Sequence, residues 1–148
     1  MELKTNHLGT IQYEKENVIH FEEGIPGFEK FKDFLIVLSN DEELPFHFLQ
    51  STEDATLSFM ITSPFIFANP YDFELSQEDV DFLKIKNADD VSIYSIVTIP
   101  DKLEETTINL AAPIVVNNAI NQAKQVVIEE IPILKYKIFG QDGKGDDA

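Results

Sequence analysis

Carboxylates are the side chains of this chain that could carry out chemistry. The sequence has 27 Asp and Glu against 11 basic residues, with three His and no Cys. Two carboxylates at a suitable distance can act as general acid and base, or as acid and nucleophile. In a chain this acidic, close pairs of carboxylates also arise without any catalytic role, so the pairs alone identify no site. A hydrolase that uses two carboxylates therefore stays open as an alternative.

The other common catalytic and metal-binding patterns are absent from the sequence. It contains no Gly-rich phosphate loop, no Gly-x-Ser-x-Gly elbow and no His-Glu-x-x-His helix. The absence of Cys excludes thiol chemistry and disulfides. His20 lies between Ile19 and Phe21, and no Cys, His or Glu stands at metal-ligand spacing from it, so we predict a half-buried strand residue there. The sequence predicts a protein without enzymatic turnover, cofactor or metal.

The charge of the chain restricts its partners. The formal net charge is −16, and all 11 basic residues are Lys. Nucleic acids and anionic membranes are recognised by clustered Lys and Arg, so we expect neither direct nucleic-acid binding nor membrane binding. A basic protein would be attracted, although the charge is equally explained by solubility. The lack of Cys, and a start at Met1–His7 without the pattern of a signal peptide, lead us to expect a cytoplasmic protein.

Short apolar runs between glycine and proline turns indicate the elements that hold these residues. Phe34–Leu38 and Val91–Ile99 are predicted strands, and Ile108–Val116 keeps one apolar face through Pro113. Gly24 and Gly27 bracket Ile25-Pro26 in a predicted turn. We predict a mainly β protein, a small antiparallel-rich β pseudobarrel with one short α-helix at about Ser76–Lys84. Residues 1–139 are expected to form this single domain, and 140–148 a flexible acidic and Gly-rich tail.

Two neighbouring segments carry the residues best suited to contact a partner. Pro64–Phe73 places four aromatic residues around two prolines, which disfavour a regular central strand. These rings either close one end of the core or form an exposed apolar patch. The stretch from Asp72 to Asp90 then holds seven acids against two lysines, and the start of the predicted helix accounts for some of them.

Four segments, in this order and at these spacings, carry a resemblance to a known family. They are Phe21–Phe28 (FEEGIPGF), Leu49–Asp54 (LQSTED), Ile96–Pro100 (IVTIP) and Thr107–Asn117 (TINLAAPIVVN). The chain resembles the FliW family of bacterial flagellar assembly factors from about Leu3 to Ile128. At the end the family often has a Tyr followed shortly by an Arg, where this chain has Tyr136 and Lys137.

The resemblance implies a compact, mostly β, non-catalytic cytoplasmic protein with two protein partners. One is flagellin, and the other is CsrA, an RNA-binding translational regulator whose repression of flagellin messenger RNA is relieved by binding. On this basis we expect a monomer when unbound. The candidate flagellin contacts are Phe65, Phe67 and Tyr71, and the candidate CsrA contacts are Asp72, Glu74 and Asp81.

A small-molecule-binding β-barrel, or the carboxylate-dependent hydrolase, is the alternative to this interpretation. A deep polar pocket that holds ionisable residues with strongly shifted pKa values would favour the alternative. A shallow surface with exposed aromatic rings and an acidic rim would favour protein binding.

Overall fold

Short strands make up most of the regular structure. The computed structural model of the protein describes residues 1–6, 8–38 and 45–139, so the predicted tail at 140–148 lies outside the described residues. The strands in these residues are β1 (Glu2–Lys4), β2 (Thr10–Gln12), β3 (Ile19–Phe21), β4 (Asp33–Leu38), β5 (Phe46–Ser51), β6 (Ser58–Thr62), β7 (Val91–Thr98), β8 (Thr107–Ile108), β9 (Ile114–Asn117), β10 (Gln122–Gln125) and β11 (Tyr136–Lys137). The helices are α1 (Pro64–Phe67) and α2 (Gln77–Phe82), with 3-10 turns at Lys15–Asn17, Ala88–Asp90 and Leu103–Glu105.

Seven of these strands close into a barrel in the order β7-β6-β5-β4-β3-β10-β9, and β9 pairs back onto β7. All pairings around the barrel are antiparallel except that of β3 with β10, which is parallel. β8 pairs with the C-terminal end of β7, and β11 pairs with β8. β1 and β2 form a separate hairpin. The predicted mainly β, antiparallel-rich barrel is confirmed.

The barrel interior is filled by large apolar side chains from nearly every strand. Phe21 and Phe34 have no exposed surface, and their rings meet edge to face with centroids 5.3 Å apart. Ile61 from β6 and Val116 from β9 are also fully buried and complete the same cluster. On the outer side of β9 and β10, Val115 and Val126 are buried under α2. Burial of this much apolar surface is the main force that holds the strands closed.

The predicted glycine turn lies between β3 and β4. Gly24 has a φ of +72° and Gly27 a φ of +90°, both in the left-handed region that glycine enters without a steric penalty. A Cβ on Gly24 would stand 2.6 Å from the Cα of Glu29, so the chain also approaches itself closely here. Ile25 is buried at the tip, whereas Phe28 stays partly exposed and packs edge to face on Phe59.

The predicted helix is present and slightly shorter than expected. Ser76 is the N-cap of α2, and its hydroxyl oxygen accepts a hydrogen bond from the Asp79 N–H at 3.1 Å. The helix ends at Phe82, with Leu83 as its buried C-cap. A second helix, α1, was not predicted. It follows from Pro64 at the first helical position, where proline loses no hydrogen bond and its fixed φ suits a helix.

The apolar face over Ile108–Val116 belongs to two strands, β8 and β9, and the strand is interrupted before Pro113, where the sequence indicated a bulge or an edge position. The two strands both pair with β7, but residues 109–113 between them form a turn. The side-chain oxygen of Asn109 accepts hydrogen bonds from the N–H groups of Ala111 and Ala112 at 2.9 and 3.0 Å. Pro113 has no N–H to give to a ladder, so the side-chain amide and the proline together interrupt the strand.

Candidate partner-binding groove

The side chains of Phe65 and Phe67, the first two aromatic candidates, point in opposite directions from helix α1. The side chain of Phe67 packs inward, with its ring stacked on Phe46 at a centroid distance of 6.2 Å. Phe65 is 47 % exposed, and its neighbour Ile66 is 57 % exposed. A single helical turn cannot bury three consecutive apolar residues, so part of this segment remains on the surface. Ile66 is an exposed apolar residue that the sequence reasoning did not single out.

Tyr71 is a buried structural residue. It is 7 % exposed, and its hydroxyl donates a hydrogen bond to the Leu110 carbonyl oxygen at 2.7 Å. Burial raises the pKa of the Tyr71 hydroxyl to about 12, because the charged phenolate would lose its hydration. The Tyr71 ring lies between Phe65 and Phe73, with centroids 5.7 and 5.3 Å away. It therefore supports the exposed ring of Phe65 from below.

The chain after Tyr71 runs extended, so its side chains alternate between the interior and the solvent. Phe73 and Leu75 point inward, while Asp72 and Glu74 are exposed. Together with α2 and the start of β7 they enclose a shallow groove of about 570 Å³, which we call the aromatic groove. It is lined by Phe65, Tyr71, Asp72, Phe73, Glu74, Leu75, Val80, Ile85, Ala88, Val91 and Ile93.

Helix α2 forms one wall of the aromatic groove and is anchored from two sides. Asp79 is half-buried and accepts a hydrogen bond from the Lys124 ammonium at 2.6 Å, which raises the pKa of Lys124. The same ammonium lies 5.0 Å from the centre of the Phe82 ring. At the other end, the side-chain N–H group of Asn117 donates to the Leu83 carbonyl oxygen at 2.8 Å. These contacts fix the wall, and the spacing of charges along the sequence did not reveal them.

The aromatic groove brings together four of the six candidate residues. Phe65 and Tyr71, proposed for one partner, line the same groove as Asp72 and Glu74, proposed for the other. Phe67 does not line it, because its ring packs against the core. Asp81 lies on the exposed side of α2, where its carboxylate accepts a hydrogen bond from Gln77 at 2.8 Å. Partner contact by any of the six remains a prediction.

The groove is an open surface whose charged side chains lie on its rim. Its two carboxylates, Asp72 and Glu74, are exposed on the rim, and Tyr71 is occupied by its hydrogen bond to the core. Among residues 1–6, 8–38 and 45–139, no group of three or more His, Asp or Glu is placed to hold a metal ion. Exposed apolar rings with an acidic rim instead suit the recognition of another molecule's surface.

The predicted strand histidine lies far from this groove in the chain and has partners of its own. His20 is partly buried on β3, as expected from its place between Ile19 and Phe21. Its Nδ1 lies 2.7 Å from an Asp33 carboxylate oxygen and its Nε2 lies 3.0 Å from one of Glu22. Two flanking carboxylates favour the doubly protonated ring, and the hydrogen bond to Asp33 is the main reason that the pKa of His20 is raised.

The closed barrel and the acid-rimmed groove on its outer wall define a class of small β-barrel proteins with an open surface groove. Within the described ranges, no helix has the length and apolar character that crossing a membrane requires. The family model described as "FliW protein" matches residues 2–138, which is most of the chain. The chain therefore belongs to the FliW family, as the sequence motifs indicated.

The relatives and the solved structure are similar to this chain over nearly its whole length. The chain is 41 % identical over 129 residues to "Flagellar assembly factor FliW" of Alkaliphilus metalliredigens, covering 87 % of this chain and 80 % of that protein. It is 38 % identical over 140 residues to the protein of the same name from Clostridium kluyveri, covering 94 and 96 %. A structure titled "Crystal structure of the flagellar assembly factor FliW" superimposes with a TM-score of 0.86 at 33 % identity, covering 94 % of this chain and 97 % of that one.

Proposed function

We propose that this protein is a non-catalytic, cytoplasmic flagellar assembly factor that binds flagellin and the RNA-binding translational regulator CsrA. By occupying CsrA it would relieve repression of flagellin translation. Membership of the FliW family supports the flagellar role, and the relatives are named as assembly factors. The observation that carries the proposal for this chain is the aromatic groove, in which an exposed ring stands beside an exposed acidic rim.

Flagellin is proposed to bind through the apolar part of the aromatic groove. Amphipathic helices bind grooves of this kind by inserting apolar side chains at helical spacing. Phe65 is the candidate for direct contact because about half of its surface is exposed and its ring is supported by Tyr71. Tyr71 supports the groove from below and Phe67 packs in the core, so substituting either residue would disturb folding as well as binding.

The test of flagellin binding is therefore a single substitution, Phe65→Ser. We expect it to weaken flagellin affinity at least about fivefold, the loss that corresponds to an interface residue contributing more than about 1 kcal/mol. Leu103→Ser is the matched control, because Leu103 is 61 % exposed in the turn beyond the other end of β7. Equal flagellin affinity for wild type and Phe65→Ser would place the site elsewhere.

CsrA is proposed to meet the acidic side of the same region. A protein that grips RNA phosphates must be basic, and this chain carries a net charge of −16. Asp72 and Glu74 on the groove rim, with Asp81 on α2, are the candidate contacts. Exposed charge pairs are individually worth about 0–1 kcal/mol, so their combined field should act mainly on the association rate.

The CsrA proposal predicts an association rate that falls steeply as salt rises. Changing Asp72→Asn, Glu74→Gln and Asp81→Asn together should slow association measured by stopped flow. The control changes three exposed acids beyond the other end of β7 by the same total charge, Asp101→Asn, Glu104→Gln and Glu105→Gln. If the two triple variants slow association equally, the net charge acts and this stretch is not the site.

The alternative functions find less support in the groove. A hydrolase that uses two carboxylates needs them to face a substrate in a confined site, whereas Asp72 and Glu74 stand on an open rim. A small-molecule site would enclose most of its ligand, and the aromatic groove is shallow. The strong negative charge also opposes self-association, which supports a monomer when unbound.

A further inference from the structure

The chain that follows β10 forms a strand edge that is paired on one side only. The Val126 N–H donates to the Pro113 carbonyl oxygen at 2.9 Å, and the Ile128 N–H donates to the Ala111 carbonyl oxygen at 2.7 Å. These bonds extend the ladder of β9 and β10 by several residues. On the opposite side, β3 pairs with β10 only at Gln122 and Ala123 and then leaves for the glycine turn.

Val127 presents its backbone to this open side. Backbone groups of successive strand residues point to opposite edges, so those of Val127 face away from the Pro113 segment. In the part of the chain that the structure describes, neither its N–H nor its carbonyl oxygen has a hydrogen-bond partner, and the N–H of Glu129 has none. Val127 is 71 % exposed, so nothing there covers the edge. Unpaired strand groups of this kind are templates for a further strand.

A second groove runs beside this edge, separated from the aromatic groove by Glu74 and Leu75, which line both. It encloses about 500 Å³, and its remaining lining residues are Ser76, Asp79, Val126, Val127, Ile128, Glu129 and Glu130. The apolar side chains of Leu75 and Val126 contribute to the lining. An extended chain that paired with Val127 would therefore lie in a groove and not on an open face.

The charge of the second groove selects the occupant. Asp79 is already paired with Lys124 at 2.6 Å. Glu74, Glu129 and Glu130 are exposed and have no cationic partner among the described residues. Three unpaired carboxylates beside a strand edge attract Lys or Arg side chains that project from a strand at alternate positions.

We propose that the edge at Val126–Glu129 binds an extended, basic segment of a partner protein as an added β-strand. Hydrogen bonds to the N–H and carbonyl of Val127 and to the N–H of Glu129 would supply affinity, and the three glutamates would select basic side chains. This surface shares Glu74 and Leu75 with the aromatic groove, but its strand-pairing groups lie outside that groove, and the inference does not rest on the proposed function.

Two other candidate occupants of the strand edge, a second copy of the chain and the chain's own end, fit it poorly. A second copy would bring its own net charge of −16 toward an acidic edge, which opposes pairing. The chain's own end, residues 140–148, has three Asp and one Lys and so carries the wrong charge. A basic partner segment is the occupant that matches both the backbone pattern and the carboxylates.

Amide hydrogen exchange tests the edge with a synthetic probe, an eight-residue peptide that alternates Lys with Val or Thr. In the free protein we expect slow exchange at the bonded amides of Val126 and Ile128 and fast exchange at Val127 and Glu129. Saturating peptide should slow exchange at Val127 and Glu129 at least about tenfold, because these amides become hydrogen-bonded. The same peptide with N-methyl groups on its edge-facing residues should bind about tenfold more weakly.

The outcomes separate strand addition from attraction by charge alone. Binding without protection of Val127, equal binding of the N-methylated peptide, or no binding at millimolar peptide would each overturn the proposal. Glu129→Gln with Glu130→Gln should weaken binding, whereas the control Glu104→Gln with Glu105→Gln should not. Neither flagellin nor CsrA takes part in these measurements, so the result is independent of the proposed function.

Discussion

Replacing Gly24 by Ala tests how closely the glycine turn approaches its own chain. Gly24, Gly27 and Gly9 all have positive φ values, of +72°, +90° and +73°. A Cβ at Gly24 would lie 2.6 Å from Glu29 Cα and 2.9 Å from its carbonyl oxygen, whereas at Gly9 and Gly27 it would meet nothing within 4 Å. Only Gly24→Ala therefore adds a collision with the backbone to the cost of placing an L-residue at positive φ.

The expected losses of stability follow from this difference. An L-residue in the left-handed region costs about 1–2 kcal/mol, which all three Ala variants share. An atom forced into a packed site costs about 1–3 kcal/mol more, so Gly24→Ala should lose about 2–5 kcal/mol. The stabilising effect of Ala on the unfolded chain is the same in all three and cancels from the comparison.

Urea unfolding of the three variants measures the difference. Gly9→Ala and Gly27→Ala should have similar free energies of unfolding, with Gly24→Ala clearly below both and with unchanged m-values. If Gly24→Ala unfolds at the same urea concentration as the two controls, the close approach of Gly24 to Glu29 is not a feature of the folded protein.

Three further predictions concern single contacts. The hydrogen bonds of His20 to Asp33 and Glu22 raise its pKa above the unfolded value of 6.5. The stability that protonated His20 contributes is therefore fully present below pH 6.5 and is lost as pH rises through the folded pKa. Urea unfolding from pH 5 to 9 should show this fall in the free energy of unfolding in wild type and not in His20→Gln. Tyr71→Phe leaves the Leu110 carbonyl without its hydroxyl donor and should lower the free energy of unfolding by about 1–3 kcal/mol, measured by urea denaturation; a neutral effect would contradict the buried hydrogen bond. Asn117→Ala removes the side-chain donor to the carbonyl oxygens of Leu83 and Lys84 and should also lower the free energy of unfolding by about 1–3 kcal/mol. Amide exchange that speeds up relative to wild type more in α2 than in β5 would locate this loss at the helix.

Local signals in the sequence were sufficient for the turn and for α2. Gly24 and Gly27 sit where positive φ is required, and Ser76 is followed three residues later by the N–H that it caps. These features depend on neighbours in the chain, so residue type and spacing predict them. Helix α1 was missed because Phe-Ile-Phe has strand propensity, and the proline before it starts a helix only once the sheet leaves room for one.

The closure of the barrel and the shape of the groove depend on distant contacts. The parallel pairing of Gln122 with His20 joins residues about a hundred positions apart, and no local pattern indicates it. The burial of Tyr71 likewise depends on the Leu110 carbonyl, 39 residues away. The sequence therefore located the aromatic and acidic segments of the groove but could not separate Phe65, which is exposed, from Tyr71, which supports it.

The central proposal, that one groove serves both partners, is tested most directly by competition. Phe65 lines the same groove as Asp72 and Glu74, so flagellin and CsrA should exclude each other from it. The measurement is the apparent Kd of labelled flagellin for this protein at increasing CsrA concentration, at fixed ionic strength. The account predicts that the apparent Kd rises linearly with CsrA concentration without a plateau and that no ternary complex forms. A plateau, or a stable complex that contains all three proteins, would contradict it.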